Sequence, residues 1–312
     1  LFQNRTIAVA SIVSVFIGMG MFGGLASLPL YLQIVKGASP TQAGLFLLPL
    51  TLGIMFGSIL SGQLISRTGT YRHFPIIGAG LLTASMFFFH LVGADTPTWQ
   101  TMIIMVFFGV GLGFNFQPLT LAVQNAVSRR DIGVATSSAT FTRQIGGTLG
   151  TAVFLSILFS KAATNIPAAY QAAFQTPAFQ AAIRNPQGDP ASNAQFIKSL
   201  QNRTFSGGLS DSSFVQRIDP RLAHPYLEGF SSAMQAVFFT ATFILLAAFI
   251  VSWFLPHVDL GPKPGEKQAE AAPDVNVPDD ARREVTDEPD SPVKLAPGRH
   301  RAPSKRQLAR QS

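Results

Sequence analysis

Six stretches of the sequence stay apolar for about 20 residues or more, the length of helix that crosses the ~30 Å hydrocarbon core of a bilayer. They cover roughly residues 7–32, 41–65, 73–93, 99–122, 134–160 and 229–255. Membrane-spanning strands are excluded, because open sheet edges cannot be satisfied in lipid and the alternation of barrel strands is absent. The sequence therefore predicts an all-α polytopic membrane protein with six transmembrane helices.

The composition agrees with a membrane as the surrounding medium. Hydrophobic residues make up 47% of the chain and charged residues 12%, which is too little charge to solvate a soluble protein of 312 residues. The net charge of +7 belongs to the apolar part, because basic and acidic residues balance in residues 256–312. That balance argues against a nucleic-acid partner. Cysteine is absent, which excludes disulfides and thiolate metal sites.

Charges at the ends of the spans predict the orientation. The arginines gather on one side: Arg5, Arg67, Arg72, Arg129 and Arg130. The short loops on the other side carry Lys36 and Asp95. Because basic residues collect on the cytoplasmic side, we expect a multi-pass protein of the plasma membrane, the inner membrane of a bacterium, with a cytoplasmic C-terminus. Without an initiator Met or a signal-peptide pattern, the chain is interpreted as a piece of a longer one.

We divide the chain into four parts. Residues 1–160 hold spans one to five, 161–228 form a long periplasmic or extracellular loop, 229–255 hold span six, and 256–312 form a disordered cytoplasmic tail rich in Pro and charge. Apolar residues in the loop recur about every four positions, at Tyr170, Phe174, Phe179 and Ile183. This spacing predicts short helices that lie on the membrane or cap the bundle, with a partly ordered linker as the alternative.

Residues 62–72, GQLISRTGTYR, interrupt two apolar runs. We predict a tight cytoplasmic turn in which Gly62 permits close helix approach and Gly69 adopts a left-handed conformation. Arg67 and Arg72 would stay at the anionic inner surface. A basic turn that only follows the topology would account for the charges alone.

The spacing of this turn resembles the loop signature that the major facilitator superfamily places between the second and third helices of each half. Ser66 stands where that family usually has Asp, which removes a charge that would lock the inward gate. Further stretches are similar to the C-terminal half of the 14-span drug:proton antiporter family: SPTQAGL from Ser39, QPLTLAVQN from Gln117, SRRD from Ser128 and RQIGGTLG from Arg143. The resemblance covers residues 1 to about 255.

The resemblance implies one half of a major facilitator fold, built from two three-helix repeats, and eight preceding spans outside this chain. It implies secondary active export of hydrophobic or cationic drugs by proton antiport with alternating access, with substrate bound between the halves. The proton gradient would supply the energy, and no cofactor is expected. The partners would be the lipid bilayer, small hydrophobic substrates and the missing N-terminal half, with a periplasmic adaptor protein as a further candidate.

Glycines and prolines recur inside the predicted spans. The glycine pairs, four residues apart, are Gly20/Gly24, Gly53/Gly57, Gly109/Gly113 and Gly146/Gly150. We interpret them as positions at which helix backbones approach closely. Pro29, Pro49 and Pro118 would free backbone carbonyls, which favours bends that could serve a gate.

Polar side chains form stripes on two spans. At ~100° per residue they share one face in span four and one face in span five: Gln117, Thr120 and Gln124, and Ser137, Thr140, Gln144, Thr148 and Thr151. Because stripes facing lipid would be costly, we predict that they face each other or a water-filled cavity, with interhelical hydrogen bonds as the alternative. Asn115 lies roughly opposite Gln117 and is predicted to join two helices.

Arg143 lies inside span five, where a charge costs about 2.5–3.5 kcal/mol by insertion scales. Its own helix face carries Ala139, Gly146, Gly147 and Gly150, which is typical of a packing face. Arg143 either snorkels to the cytoplasmic boundary or acts as a gate or substrate-facing cation near the inner end.

No Asp or Glu lies in the interior of a predicted span, so a proton-coupling carboxylate is not expected in this half. Aromatic, methionine and amide side chains suit bulky hydrophobic and cationic compounds. The predicted substrate-binding residues are Met21, Phe22, Phe114, Gln117, Thr120, Gln144 and Thr148. The predicted gate residues are Gly62, Arg67, Gly69, Arg72 and Arg143.

The sequence does not predict an enzyme. Its histidines are scattered, and it contains no metal-ligand spacing, phosphate-binding loop or nucleophile motif. The alternative to a transporter is a non-transporting membrane receptor or assembly scaffold built on the same bundle.

Overall fold

The computed structural model describes residues 5–201, 215 and 217–256, and the regular structure in these ranges is helical. The elements are α1 (Arg5–Ile34), α2 (Pro40–Phe46), α3 (Leu48–Thr68), α4 (His73–His90), α5 (Thr98–Asn125), a 3-10 turn (Arg129–Asp131), α6 (Ile132–Phe174), α7 (Pro177–Arg184), α8 (Pro190–Gln201) and α9 (Pro220–Ser252). Six segments are long and apolar enough to cross a membrane: α1, α2 with α3, α4, α5, α6 and α9. The prediction of an all-α protein with six spans is confirmed.

The packing of the six spans repeats after every third span. α3 packs against α5 as α6 packs against α1, and α4 packs against α5 as α9 packs against α1. α4 and α9, the third helix of each set, pack against each other. Exchanging the first three spans with the last three therefore preserves these contacts, which confirms the predicted three-helix repeats.

Glycines bring crossing helices into backbone contact. A Cβ added at Gly57 of α3 would stand 2.6 Å from the carbonyl oxygen of Val110 in α5. In the second repeat, Gly146 and Gly150 of α6 meet the backbone of α1 in the same way. Side chains at these positions would force the helices apart, so the interpretation is confirmed for these glycines. It is wrong for Gly20 and Gly24, where an added Cβ would meet the side chains of Leu245, Met86 and Phe108 rather than backbone.

The turn after α3 has the predicted left-handed residue. Gly69 has a φ of 71°, and its N–H donates to the carbonyl of Ile65 at 2.8 Å. The predicted close approach at Gly62 is wrong, because a Cβ there would stand 4.0 Å from Gln117 Cγ, an ordinary van der Waals distance. The close contact with α5 lies earlier in α3, at Gly57.

Arg72 joins this turn to the end of the sixth span. Its Nη2 donates to the carbonyl of Trp253 at 3.2 Å. A cation is favourable beside the last carbonyls of a helix, where the helix dipole is negative. The turn between spans two and three and the C-terminal end of α9 therefore lie on the same side of the bundle.

The second span consists of two helices. Ser39 caps α2 with a capping box, in which the Gln42 N–H donates to Ser39 Oγ at 3.2 Å and the Ser39 N–H donates to Gln42 Oε1 at 3.0 Å. Pro49 falls in the first turn of α3, where no intrahelical donor is lost. Pro49 does lie inside the second span, as predicted, but next to the break between α2 and α3 rather than in the middle of a continuous helix. Pro29 and Pro118 lie inside α1 and α5.

The C-terminal end of α6 and the N-terminal end of α9 extend beyond their apolar stretches. α6 continues past residue 160, where we predicted the span to end, to Phe174, and α9 begins at Pro220, earlier than predicted. The hydroxyl of Tyr170 in α6 donates to the carbonyl of Leu222 in α9 at 3.1 Å. Packing between the two helices thus supports both extensions, and the short helices α7 and α8 lie between them in the sequence.

A buried network joins the α7–α8 connection to the start of α9. The Asp219 carboxylate accepts hydrogen bonds from the Gln187 N–H at 2.7 Å and from the Arg221 side chain at 2.7 Å. Asp219 is fully buried, and its own N–H donates to Asn193 Oδ1 at 2.8 Å. The Arg221 side chain lowers the pKa of Asp219 to about 2. Residues 202–214 of this segment and the predicted tail beyond Pro256 lie outside the described residues.

Lys36 connects two loops at the end of the bundle opposite the turn between α3 and α4. Its ammonium donates to the carbonyls of Ala94 at 2.6 Å and Thr96 at 2.5 Å, and it stands 5.6 Å from the ring centroid of Tyr31. Burial lowers the pKa of Lys36, and the nearby Asp95 opposes that shift. The loop after α1 is thereby tied to the loop after α4.

Candidate functional site

An open groove of about 610 Å³ lies between α1 and α6. Phe22 lines it from α1, and the lining residues from α6 are Gln144, Gly147, Thr148, Thr151 and Ala152. Gly147 makes room for the Phe22 ring, since a Cβ there would stand 2.8 Å from the ring carbon Cε2. The groove thus brings together three predicted substrate-binding residues: Phe22, Gln144 and Thr148.

The predicted polar stripe of α6 lies at the surface of this chain. Gln144 and Thr148 are exposed, and Thr151 is half-buried. The hydroxyls of Thr140, Thr148 and Thr151 each donate to a carbonyl one turn earlier in α6, at 3.0 Å. These donors are satisfied within the helix and do not form interhelical bonds, so the hydroxyl lone pairs remain able to accept hydrogen bonds from water or a ligand.

The predicted stripe of α5 is divided. Near its inner end, Gln124 Nε2 donates to Thr136 Oγ1 of α6 at 3.1 Å, which is the interhelical alternative. The Thr120 hydroxyl donates to the Phe116 carbonyl at 2.8 Å, within α5. Gln117 is exposed and reaches toward α3. Only the inner end of this stripe is therefore used to join helices.

Four predicted substrate-binding residues do not line the groove: Met21, Phe114, Gln117 and Thr120. The last two belong to the α5 stripe described above. Met21 packs against the hydrophobic core. Phe114 packs edge to face on Phe74 of α4, with ring centroids 5.8 Å apart. Both were selected by residue type and helical position, which do not determine the neighbour that covers a side chain.

Asn115 packs between α4 and α5, but the hydrogen bond of its side chain stays within α5, and its Oδ1 is buried without a partner among the described residues. It is fully buried, and its Nδ2 donates to the Gly111 carbonyl at 2.8 Å. The same nitrogen lies against Gly78 of α4, where an added Cβ would clash with it. The residue therefore fills the α4–α5 contact and has no place in the groove.

Arg143 does not snorkel along α6. Its guanidinium carbon lies 4.6 Å from the ring centroid of Phe116 in α5, and its Nε is buried without a hydrogen-bond partner. Phe116 lies nine residues before the end of α5 at Asn125, about 14 Å at 1.5 Å per residue. The guanidinium is therefore at the level of the bundle interior. Ala139 and Gly146 on the same helix are buried, as the predicted packing face requires.

Phe116 was missed by the sequence reasoning. It lies outside the polar stripe of α5, and aromatic residues are too common in these spans to single it out. The signal that could have found it is the cation inside the neighbouring span, because an unpaired arginine favours an aromatic face.

The remaining gate residues lie in or beside the turn between α3 and α4. Arg67 is exposed, while Arg72 bonds to the end of α9 as described. Ser66, at the position where an acidic residue was expected, donates to the Gln63 carbonyl at 2.8 Å within its own helix. In this chain the turn is thus stabilised by backbone acceptors, and Ser66 supplies no carboxylate to either arginine.

Within the described residues, acidic side chains avoid the apolar parts of the spans. Asp131 precedes α6, and Glu228 lies in the outer extension of α9, where it is 67% exposed. Residues 5–201 and 217–256 also hold no group of three His, Asp or Glu side chains that could bind a metal ion. The groove between α1 and α6 therefore offers amide, hydroxyl and aromatic groups with one nearby cation, Arg143.

Comparison with known proteins gives consistent matches. A family model described as Major Facilitator Superfamily matches residues 1–151. A tetracycline resistance determinant of Streptomyces rimosus is 33% identical over 271 residues, which cover 86% of this chain and 77% of the relative. The multidrug transporter protein MdtP of Bacillus subtilis is 27% identical over 282 residues, covering 86% of this chain and 49% of the relative.

Among solved structures, the chain is similar to a bacterial homologue of the human lysosomal transporter Spinster. The TM-score is 0.52 at 17% identity, over 81% of this chain and 48% of that structure. The likeness is one of fold. The chain spans about half the length of this structure and of the Bacillus relative, and about three quarters of the Streptomyces relative.

Proposed function

Because the chain belongs to the major facilitator superfamily of membrane transporters, we propose that it is the C-terminal six-span half of a drug exporter driven by proton antiport. The resemblance noted in the sequence is confirmed at the level of this family. Members of the family are transporters rather than enzymes, and they take their energy from an ion gradient without a cofactor. Both predictions made on these points are confirmed by the family.

The observation that carries the proposal is the groove between α1 and α6, which places an amide and hydroxyls on a mainly apolar surface. Gln144 and Thr148 are exposed in the middle of a span, where contact with lipid would be costly. With Phe22 they form a surface that combines an aromatic face, an amide and hydroxyls. Such a surface suits a bulky hydrophobic compound with a few polar groups.

A second half would cover the faces that this chain leaves open. Large apolar residues of α3 and α6 are exposed, among them Phe56 at 60% and Phe141 at 64%. In the proposal, part of this surface faces lipid and part faces an N-terminal half across the substrate path. Rocking of the two halves would then expose the groove to each side of the membrane in turn.

Proton coupling would depend on the other half. The described parts of α1, α5 and α6 contain no carboxylate, and a titrating group is needed to exchange protons for substrate. We propose that the coupling carboxylates lie in the N-terminal half. The same carboxylates would balance the charge of a cationic substrate. We also retain the orientation predicted from the arginines, with the inner turns and the C-terminus in the cytoplasm.

Inverted membrane vesicles test the proposal. Full-length protein should move a fluorescent hydrophobic dye into the vesicles when a proton gradient is present, and an uncoupler should stop the movement. Vesicles without the protein are the control. If folded full-length protein moves no cationic, neutral or anionic dye under a gradient, export is refuted and the receptor or scaffold alternative is favoured.

A further inference from the structure

Arg143 is a cation without a counter-ion inside a span. Its guanidinium contacts the ring of Phe116, and its Nε is buried without an acceptor. In the described parts of the chain no carboxylate forms an ion pair with it, and the helices around it, α1, α5 and α6, contain no acidic residue. Arg143 is half-buried, so its guanidinium is only partly hydrated. Because a partly buried charge is stabilised by a counter-ion, and the described residues supply none, this position can accept one from a ligand.

Polar groups flank the cation on both helices. Gln144 follows Arg143 on α6 and lines the groove, and Thr148 lies one turn further along the same lining. On α5, the exposed Gln117 follows Phe116. Toward the inner end, the hydrogen bond from Gln124 joins α5 to α6. The Arg143–Phe116 pair therefore lies beside the groove, further from the α5–α6 turn than the hydrogen bond that joins α5 to α6.

We propose that Arg143 and Phe116 form a subsite for an anionic oxygen, such as a carboxylate, on an amphiphilic substrate. This inference rests on the proposed transport function, which makes the groove the substrate path, and it narrows the substrate class. A guanidinium can donate two parallel hydrogen bonds to a carboxylate, and the Phe116 face holds its plane. The Gln144 amide would bind further polar groups of the substrate.

The charge of Arg143 then determines which substrates this half of the transporter prefers. A permanent cation would meet Arg143 without a compensating carboxylate from α1, α5 or α6. An anion or zwitterion would supply the missing counter-ion. The subsite therefore favours amphiphilic anions and zwitterions over permanent cations of similar size, which revises the hydrophobic or cationic class predicted from the sequence.

The alternative counter-ion for Arg143 is a carboxylate of the protein itself, outside the described residues. Such a carboxylate would already be paired with Arg143 before substrate arrives. Loss of the arginine would then disturb the protein for every substrate alike. The two sources are distinguished by whether the effect of Arg143→Gln depends on the charge of the ligand.

The test measures binding to the full-length protein in nanodiscs without a gradient, by fluorescence polarisation. The probes are fluorescein, a flat anion with carboxylate and phenolate oxygens, and ethidium, a permanent cation. Arg143→Gln should raise the Kd of fluorescein about tenfold or more and leave the Kd of ethidium unchanged or lower. Arg143→Lys should be intermediate, because it keeps the charge and loses the planar fork. Arg130→Gln, at an exposed arginine of the turn between α5 and α6, should change neither Kd.

Three results would overturn the proposal. The first is an unchanged Kd of fluorescein in Arg143→Gln, and the second is an equal loss of affinity for fluorescein and ethidium. If Arg143→Gln does not fold, the third is an unchanged Kd of fluorescein in a folded Arg143→Lys variant. The equal loss would assign Arg143 to an internal ion pair or to structure. Since no gradient is applied, a failure of export in vesicles would leave the binding result intact, and the two proposals can fail separately.

Discussion

Gly57 gives the sharpest test of how the helices of this bundle pack. The substitution Gly57→Ala adds one methyl group in the middle of α3. Its Cβ would stand 2.6 Å from the Val110 carbonyl oxygen and 3.0 Å from Val110 Cα, where ordinary contact begins near 3.4 Å. Both atoms are backbone and cannot move aside as a side chain could. α3 and α5 must therefore separate by several tenths of an ångström.

The matched control is Gly133→Ala near the start of α6, where an added Cβ meets nothing within 4 Å. Both substitutions gain helix propensity, up to about 1 kcal/mol, so the difference between them isolates the clash. Overpacking of this kind costs about 1–3 kcal/mol, which corresponds to roughly 2–10 °C in Tm. We expect Gly57→Ala to melt below wild type and Gly133→Ala to melt at or above it.

The assay is thermal unfolding of full-length protein in one detergent, followed by intrinsic fluorescence. If Gly57→Ala melts as high as Gly133→Ala, α3 and α5 are not in backbone contact, and the packing derived for the first repeat is refuted. Gly150→Ala should behave like Gly57→Ala, since an added Cβ at Gly150 would meet the Met19 carbonyl of α1 as one at Gly57 meets the Val110 carbonyl of α5.

Three further predictions concern single side chains. Lys36→Met keeps the apolar stem and removes the bonds to Ala94 and Thr96; hydrogen exchange in residues 91–97 should rise, and unchanged exchange would refute the link between the two loops. Asp219→Asn should lower the free energy of unfolding by about 2 kcal/mol, because folding lowers the pKa of Asp219 from 3.8 to about 2. The ionised carboxylate contributes this stability in full above about pH 4, and the contribution is lost as the pH falls through about 2. Exchange at the Gln187 amide should rise more than about tenfold in this variant at pH 7, and equal exchange would contradict the network. Gln144→Leu should change the relative affinities for several dyes at equal expression, whereas Gln171→Leu, exposed near the outer end of α6, should not; equal loss of folded protein would make Gln144 structural.

Helix lengths show where the sequence informs and where it does not. The apolar stretches identified all six spans, because the hydrocarbon thickness imposes a length that can be read directly. The extensions of α6 to Phe174 and of α9 from Pro220 depend on Tyr170 meeting Leu222. That contact joins residues 52 apart in sequence, and the hydropathy of the sequence does not predict it.

The candidate site was predictable in the same partial way. Helical periodicity placed Gln144 and Thr148 on one exposed face, and they line the groove. Phe114 has the right chemistry but packs on Phe74, since which helix covers a face is decided by tertiary packing. Phe116 carries no polar signal, so its contact with Arg143 could be recognised only once α5 and α6 were placed side by side.

The central claim is that the groove beside α6 is a wet substrate path within the membrane. The direct test is reaction of Thr148→Cys in the full-length protein with a water-soluble maleimide, compared with Phe87→Cys at an exposed apolar position of α4. If the groove is wet, Thr148→Cys reacts, a transported dye slows its reaction, and Phe87→Cys stays inert. If Thr148→Cys is inert to the water-soluble reagent and reacts only with a lipid-soluble one, the stripe faces lipid and the groove is not a substrate path.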